Sequence, residues 1–129
     1  PELAEPLRYH LRRAGQVWSK MRFASAQLLA YVEDGLWLRL AGQANQAAAR
    51  IAPAAGGRLL APVEANEFFV ELPPAAMDAV ERAGVGFFRR GPSLARFVCR
   101  WNTSEEEIAA LSAALRDQIG ATQARSAAQ

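Results

Sequence analysis

The sequence contains few of the residues that build disulfides, metal sites and lysine chemistry. Among its 129 residues are one cysteine (Cys99), one histidine (His10) and one lysine (Lys20), and arginine supplies the other 14 of its 15 basic residues. One thiol cannot form an internal disulfide, and no cysteine and histidine cluster has zinc-ligand spacing. We therefore expect neither a disulfide framework nor a metal site. The sequence also lacks a glycine-rich phosphate loop.

The charges are nearly balanced and widely spread. The formal net charge is +2, and arginine doublets occur only at residues 12–13 and 89–90. Because nucleic-acid-binding proteins normally carry a clustered basic stripe, no nucleic-acid partner is expected. The sequence shows neither a signal peptide nor an apolar run of membrane length, which favours a cytoplasmic protein without a membrane partner.

The most apolar stretch covers residues 23–32, where only Ser25 and Gln27 are plainly polar. It has the length of a helix and is shorter than the roughly 18 residues that indicate a membrane span. A helix that is apolar on nearly all sides must be covered by other protein. Because the rest of the chain is small for that task, we interpret the sequence as a piece of a larger protein that has lost its start before Pro1.

Hydrophobic periodicity predicts an α+β fold with its long helices first. The predicted helices cover residues 3–20, 23–32 and 75–83, another is capped by Asp34 and ends at Pro53, and a last one follows residue 104. The predicted strands cover residues 58–61, 67–72, 87–89 and 94–101. Thr103 and Glu106 have the spacing of a capping box for the last helix, which is expected to end at Gly120.

These elements predict long N-terminal helices that lead into a two-layer small domain. Its sheet is expected to be short, mainly antiparallel and four-stranded, with helices covering one face. The predicted division places the leading helices in residues 1–34, the small α+β domain in residues 35–120 and a frayed tail in residues 121–129.

Three basic residues are candidates for a binding site. Arg96 is a cation in the middle of a strand, on the same face as Val98, where burial is costly without an anion. Its planar guanidinium can hold a ligand carboxylate with two parallel hydrogen bonds, or it can form a structural ion pair with a glutamate of a neighbouring strand. The glutamates within reach are Glu64, Glu67 and Glu71. Lys20 and Arg22 precede a helix, where they can bind a phosphate or simply be solvated.

Several separated blocks of sequence resemble one enzyme family. The blocks are residues 13–16 (RAGQ), 19–23 (SKMRF), 26–31 (AQLLAY), 33–38 (EDGLWL), 44–45 (AN) and 62–67 (PVEANE). In this order they resemble the C-terminal portion of low-specificity L-threonine aldolases. These enzymes are β-eliminating lyases of the aspartate-aminotransferase fold, an α/β family that uses pyridoxal 5′-phosphate (PLP).

The resemblance implies a parent enzyme that cleaves β-hydroxy-α-amino acids to glycine and an aldehyde. It implies that residues 1–34 close a large PLP-binding domain and that the cofactor lysine lies outside this chain, so that the chain alone is inactive. Arg96 matches the strand arginine that binds the substrate carboxylate, and Arg22 and Lys20 fall near the cofactor phosphate. The implied partners are the amino-acid substrate, the large domain of the same protein, and further copies in a homodimer or homotetramer.

Two other functions are compatible with the sequence. The chain can be a free-standing, non-catalytic module that binds a small acid through Arg96 or that mediates dimerisation. Alternatively, its parent can be a sister enzyme of the same fold, such as a phenylserine-type aldolase or a β-eliminating lyase. The residue pattern does not indicate the substrate side chain.

Overall fold

The structure is a computed structural model that describes residues 2–127, with side chains described for residues 2–121. It combines helices with one small sheet and divides into two units, Pro1–Trp37 and Leu38–Gln129. The described helices are α1 (Ala4–Arg13), α2 (Met21–Val32), α3 (Leu36–Ile51), α4 (Pro74–Arg82) and α5 (Glu105–Ala127). The strands are β1 (Glu67–Glu71), β2 (Phe88–Arg89) and β3 (Leu94–Val98). In the described part, no helix is both long enough and apolar enough to cross a membrane.

The first unit contains α1 and α2, neither of which has a buried residue. The single helix predicted over residues 3–20 is wrong, because α1 ends at Arg13. Gly15 has a left-handed backbone (φ +68°), and the N–H of Gln16 closes the helix end by donating to the carbonyl oxygen of Leu11 (2.8 Å). A glycine in this conformation ends many helices because it has no Cβ to clash. The second predicted helix is confirmed as α2.

The second unit begins its core on one face of α3. The buried residues of this helix are Ala44, Ala47, Ala48 and Ile51, and Leu36 and Leu40 nearer its start are half-buried. The small side chains of the three alanines allow neighbouring elements to approach closely. After a short 3-10 segment, Gly56 turns the chain with a left-handed backbone (φ +55°), and a Cβ there would lie only 3.3 Å from Ile119 of α5.

The sheet is antiparallel with the strand order β1-β3-β2. One face is buried in the core, and this face carries the side chains of Phe68, Val70, Ala95 and Phe97. The core also takes side chains from α3, α4 and α5, including Ile51, Met77, Val80, Leu115 and Ile119. The opposite face of the sheet carries Arg96.

The predicted fourth strand at residues 58–61 is not formed, so the sheet has three strands rather than four. Residue Leu59 makes only an isolated bridge to Val70 at the free edge of β1. Backbone hydrogen bonds join Leu60 to Phe69 and Glu71 to Arg58, but pairing goes no further. The following Pro62 has no backbone N–H to continue a ladder.

The strand β3 and the helix α5 also differ from prediction at their boundaries. β3 ends at Val98 rather than at residue 101, because a turn begins at Arg100, whose backbone N–H donates to Thr103 Oγ1 (2.9 Å). The capping box uses Ser104 and Glu107, one residue later than predicted, and each side chain accepts the other's backbone N–H at 3.2 and 2.8 Å.

The helix end predicted at Gly120 is also wrong, because α5 continues to Ala127. A glycine inside a helix costs only about 1 kcal/mol relative to alanine. The alanine-rich sequence that follows Gly120 favours continuation of the helix. The last part of the predicted tail, residues 128–129, lies outside the described residues.

Candidate functional site

Arg96 lies at the centre of the sheet, on the face that points away from the core. Its register partners are Phe69 on β1 and Phe88 on β2. Because residues in register share a face, the guanidinium lies on a surface whose two flanking strands each contribute an aromatic ring. The prediction that Arg96 shares a face with Val98 is confirmed, since Val98 is exposed while Phe97 between them is only 1% exposed in the core.

Glu67 is the anionic partner of Arg96. Both Arg96 Nε and Nη2 donate to Glu67 Oε2, at 2.8 and 2.5 Å. Of the three glutamates named from the sequence, Glu67 therefore forms the ion pair. The two side chains are 33% and 36% exposed, so solvent screens the pair substantially. Partly exposed pairs of this kind contribute up to about 1 kcal/mol to stability.

The ion pair uses one edge of the guanidinium. An arginine side chain has five N–H donors, two on each terminal nitrogen and one on Nε. Within the described part of the chain, the hydrogen bonds of Arg96 use Nε and Nη2 on one carboxylate oxygen. The outer edge, which runs from Nη1 to the second N–H of Nη2, has the donor spacing that a carboxylate accepts in a bidentate pair.

The surface around Arg96 is apolar and open. The Arg96 guanidinium carbon lies 5.4 Å from the centre of the Phe88 ring, within the range of a cation–π contact. Phe88 is 59% exposed and Val98 is 41% exposed. A cation bordered by exposed apolar groups suits a ligand with one carboxylate and a small organic body, because water is displaced from around the charge when such a ligand binds.

Asn66 fixes the end of the sheet that carries the ion pair, a role that sequence reasoning missed. Its side-chain Nδ2 donates to the carbonyl oxygen of Cys99 (2.9 Å), and its own carbonyl oxygen accepts from the Cys99 backbone N–H (2.7 Å). These two bonds extend the pairing of β1 and β3 by one step. Its residue type does not indicate this role, since an asparagine before a strand is common in turns.

Lys20 and Arg22 lie in the first unit, at the N-terminus of α2. Lys20 is the residue before the helix and has a left-handed backbone (φ 58°), with no side-chain hydrogen bond that caps the helix. The guanidinium carbon of Arg22 lies 4.9 Å from the centre of the Phe23 ring. Free backbone N–H groups at a helix start, together with two cations, fit a phosphate group. Arg96 belongs to the second unit.

Cys99 does not have the environment of a nucleophile. It lies with Arg100, Thr103 and Glu107 in the wall of a cavity of about 350 Å³ beside the end of β3. Burial, and secondarily the negative charge of Glu107, raises the pKa of the Cys99 thiol. Because the thiolate is the reactive form, a raised pKa makes the thiol inert near neutral pH. The described residues also contain no group of three acidic, cysteine or histidine side chains that could hold a metal ion.

No family model matches the sequence, but two curated proteins are similar to nearly all of it. The low-specificity L-threonine aldolase of Pseudomonas sp. (strain NCIMB 10558) is 39% identical over 125 residues, which cover 93% of this chain. The enzyme of the same name from Pseudomonas aeruginosa is 38% identical over the same length. The chain spans only 36% of the length of either relative. The resemblance predicted from the sequence blocks is thereby confirmed: the chain is similar, over almost its whole length, to a segment of low-specificity L-threonine aldolases.

Proposed function

We propose that this chain is the C-terminal portion of a PLP-dependent aldolase that cleaves β-hydroxy-α-amino acids, such as threonine, to glycine and an aldehyde. The observation that carries the proposal is the 38–39% identity to two threonine aldolases over 93% of the chain. The position of Arg96 supports it independently. A strand arginine with an open bidentate edge and apolar neighbours suits the carboxylate of a small amino acid.

In this proposal the chain supplies binding residues and the rest of the parent protein supplies the covalent chemistry. Residues 1–34 are the last helices of the large domain, and residues 35–120 form the small domain. The lysine that carries PLP lies outside this chain, because Lys20, its only lysine, occupies a block that matches a different part of the family pattern. The isolated chain is therefore expected to have no aldolase activity.

Each candidate residue then has a definite task. When bound, PLP supplies an electron sink for the negative charge that develops on Cα as the Cα–Cβ bond breaks. Arg96 binds the substrate carboxylate and orients the amino acid, so that the bond to be broken is presented in a fixed direction. Arg22 and Lys20 supply positive charge for the cofactor phosphate, and the backbone N–H groups at the start of α2 supply hydrogen-bond donors. We propose a cytoplasmic homodimer or homotetramer as the working enzyme.

The proposal is tested by replacing Arg96→Leu in the full-length enzyme. Loss of a charge-assisted bidentate contact should lower kcat/KM for threonine by roughly 30- to 1,000-fold, which corresponds to about 2–4 kcal/mol of transition-state binding. The PLP absorbance and the melting temperature should stay close to those of the parent. The matched control is Arg90→Leu, which removes an exposed arginine of the same unit and should leave the kinetics unchanged.

A different pattern would contradict the role of Arg96. If Arg96→Leu lowers the melting temperature and the PLP content while KM stays normal, Arg96 is only the partner of Glu67 in a structural ion pair. If the full-length protein releases no glycine from threonine or phenylserine, the proposed activity itself is wrong. Glycine release from phenylserine alone would favour the sister enzyme.

A further inference from the structure

We propose that Glu67 is a positioning residue for Arg96. Glu67 binds the edge of the guanidinium that is formed by Nε and Nη2. The outer edge, from Nη1 to Nη2, is then the one that binds the substrate carboxylate. The inference rests on the proposed function, since it names how the substrate-binding arginine is oriented. Glu67 itself does not contact the substrate in this arrangement.

The register of the sheet explains why Glu67 can reach only one edge of Arg96. Glu67 is paired with Val98 and Phe69 is paired with Arg96, so Glu67 lies diagonally across from Arg96 on the same face. From that position its Oε2 accepts from both Nε and Nη2. A carboxylate in this side-on position leaves the opposite, end-on edge of the guanidinium for a second carboxylate.

Two further contacts restrict the pair. Asn66, the residue before Glu67, is hydrogen-bonded through its side chain and its carbonyl oxygen to Cys99, which ties the start of β1 to the end of β3. The Phe88 ring borders the guanidinium from β2. Arginine has several rotatable bonds, and ordering it before the substrate arrives removes an entropy cost from binding.

Glu67 also has an electrostatic effect that opposes its positioning effect on substrate binding, and an experiment can separate the two effects. Its negative charge weakens the attraction of Arg96 for a second carboxylate. If that repulsion dominated, removal of the charge would lower KM whatever residue replaced Glu67. If positioning dominates, the result depends on the replacement, because Glu67→Gln keeps an acceptor oxygen at the same reach and Glu67→Ala does not.

The test compares Glu67→Ala and Glu67→Gln in the full-length enzyme. We expect Glu67→Ala to raise KM for threonine about tenfold relative to Glu67→Gln, the equivalent of losing about 1.4 kcal/mol of binding. The turnover number kcat should change much less than KM. Glu71→Ala is the matched control, because Glu71 lies on the same strand at the other diagonal position from Arg96, whereas the described hydrogen bonds of the Arg96 guanidinium go to Glu67. It should behave as the parent does.

A second readout does not depend on activity. In full-length protein labelled with 15N-arginine, the Nε–H signal of Arg96, identified by its loss in Arg96→Lys, should be slow to exchange with water in the parent and in Glu67→Gln. It should exchange rapidly in Glu67→Ala. Slow exchange in all three proteins would overturn the proposal, as would a KM that falls or stays constant in both Glu67 variants. If the parent protein proves inactive, the proposed function fails, and the exchange result alone decides whether Glu67 positions Arg96.

Discussion

The two units of the chain differ in how far their apolar side chains are exposed to solvent. In the first unit, α2 exposes Met21, Phe23, Leu28 and Leu29 by 50–64% and buries none of its residues. In the second unit, residues of the same chemical types form a continuous core, in which Phe97 is 1% exposed and Leu115 is fully buried. Similar side chains thus stabilise one unit and leave the other with an uncovered apolar surface.

The comparison teaches which part of the chain can account for its own stability. Burial of apolar area is the main favourable contribution to folding, at about 25 cal/mol per Å². The second unit obtains this contribution from its own elements. The first unit has helical sequence but little burial, and short helices without packing are marginal in water. The exposed apolar side chains of α2 therefore contribute little to the stability of this unit.

The largest difference in stability between variants of the two units is expected when one phenylalanine side chain is removed from each unit. Phe97→Ala should lower the free energy of unfolding by about 3–5 kcal/mol. The substitution removes a buried ring that packs against the rings of Phe68 and Phe87, and it leaves a cavity. Phe23→Ala, at a half-exposed site on α2, should change it by less than about 0.5 kcal/mol. Urea unfolding of both variants measures the contrast. Equal losses would show that α2 is buried in the isolated chain.

The apolar face of α2 should also control association. We expect the isolated chain to self-associate, because a helix with so many exposed large apolar side chains is uncommon on monomers. Leu28→Glu should weaken association by about tenfold or more, since a charge would be buried in the contact. Gln27→Glu, its neighbour in the same helix, is the control for the added charge alone. Analytical ultracentrifugation that finds a monomeric parent chain at high concentration would contradict this expectation.

The helix starts of the two units should respond differently to loss of a serine. Ser104→Ala removes the oxygen that accepts the Glu107 N–H in the capping box of α5, and it should cost about 1 kcal/mol of stability. Ser19→Ala, just before the uncapped start of α2, should cost less than about 0.5 kcal/mol. Thermal unfolding compares the two. An effect of Ser19→Ala as large as that of Ser104→Ala would indicate a cap at α2.

The smallest change in stability is expected when acid protonates the carboxylates of two ion pairs in the second unit. Hydrogen bonds from Arg89 lower the pKa of Glu81, and hydrogen bonds from Arg50 lower the pKa of Glu105. A carboxyl group whose pKa is lower in the folded state stabilises the fold above its unfolded pKa of about 4.3, and this contribution is lost as the pH falls through the folded value. The double variant Glu81→Gln, Glu105→Gln should therefore lose less melting temperature than the parent between neutral pH and the acid range.

Salt provides the control for the acid experiment. Both ion pairs are exposed, so a salt concentration near 1 M, where the screening length is about 3 Å, should reduce the difference between parent and variant. If the parent and the double variant lose melting temperature equally on acidification at low salt, other carboxyl groups govern the acid response.

The sequence predicted the candidate site in part. The strand pattern correctly placed Arg96 on the same face as Val98, because the side-chain direction in a strand follows directly from residue spacing. The choice of Glu67 among three glutamates could not be predicted, since it depends on strand register and Glu67 and Arg96 are 29 residues apart in sequence. The link between Asn66 and Cys99 was missed for the same reason.

The boundaries of several elements were also beyond the sequence pattern. The segment at residues 58–61 has strand-like composition but pairs only at Leu59, because its neighbour Pro62 cannot donate to a ladder. The capping box was placed one residue early because Thr103 and Ser104 have the same kind of side chain. Only the structure shows that Thr103 instead accepts the backbone N–H of Arg100.

The sequence by itself determined the types and order of the main elements, except for the strand predicted at residues 58–61, and the similarity to threonine aldolases, since periodicity and residue identity are local properties of a chain. The tertiary structure decided which glutamate holds Arg96, which edge of the guanidinium remains open and which strands join the sheet. These features depend on contacts between residues far apart in sequence, whose geometry is fixed only when the strands pair and the core packs.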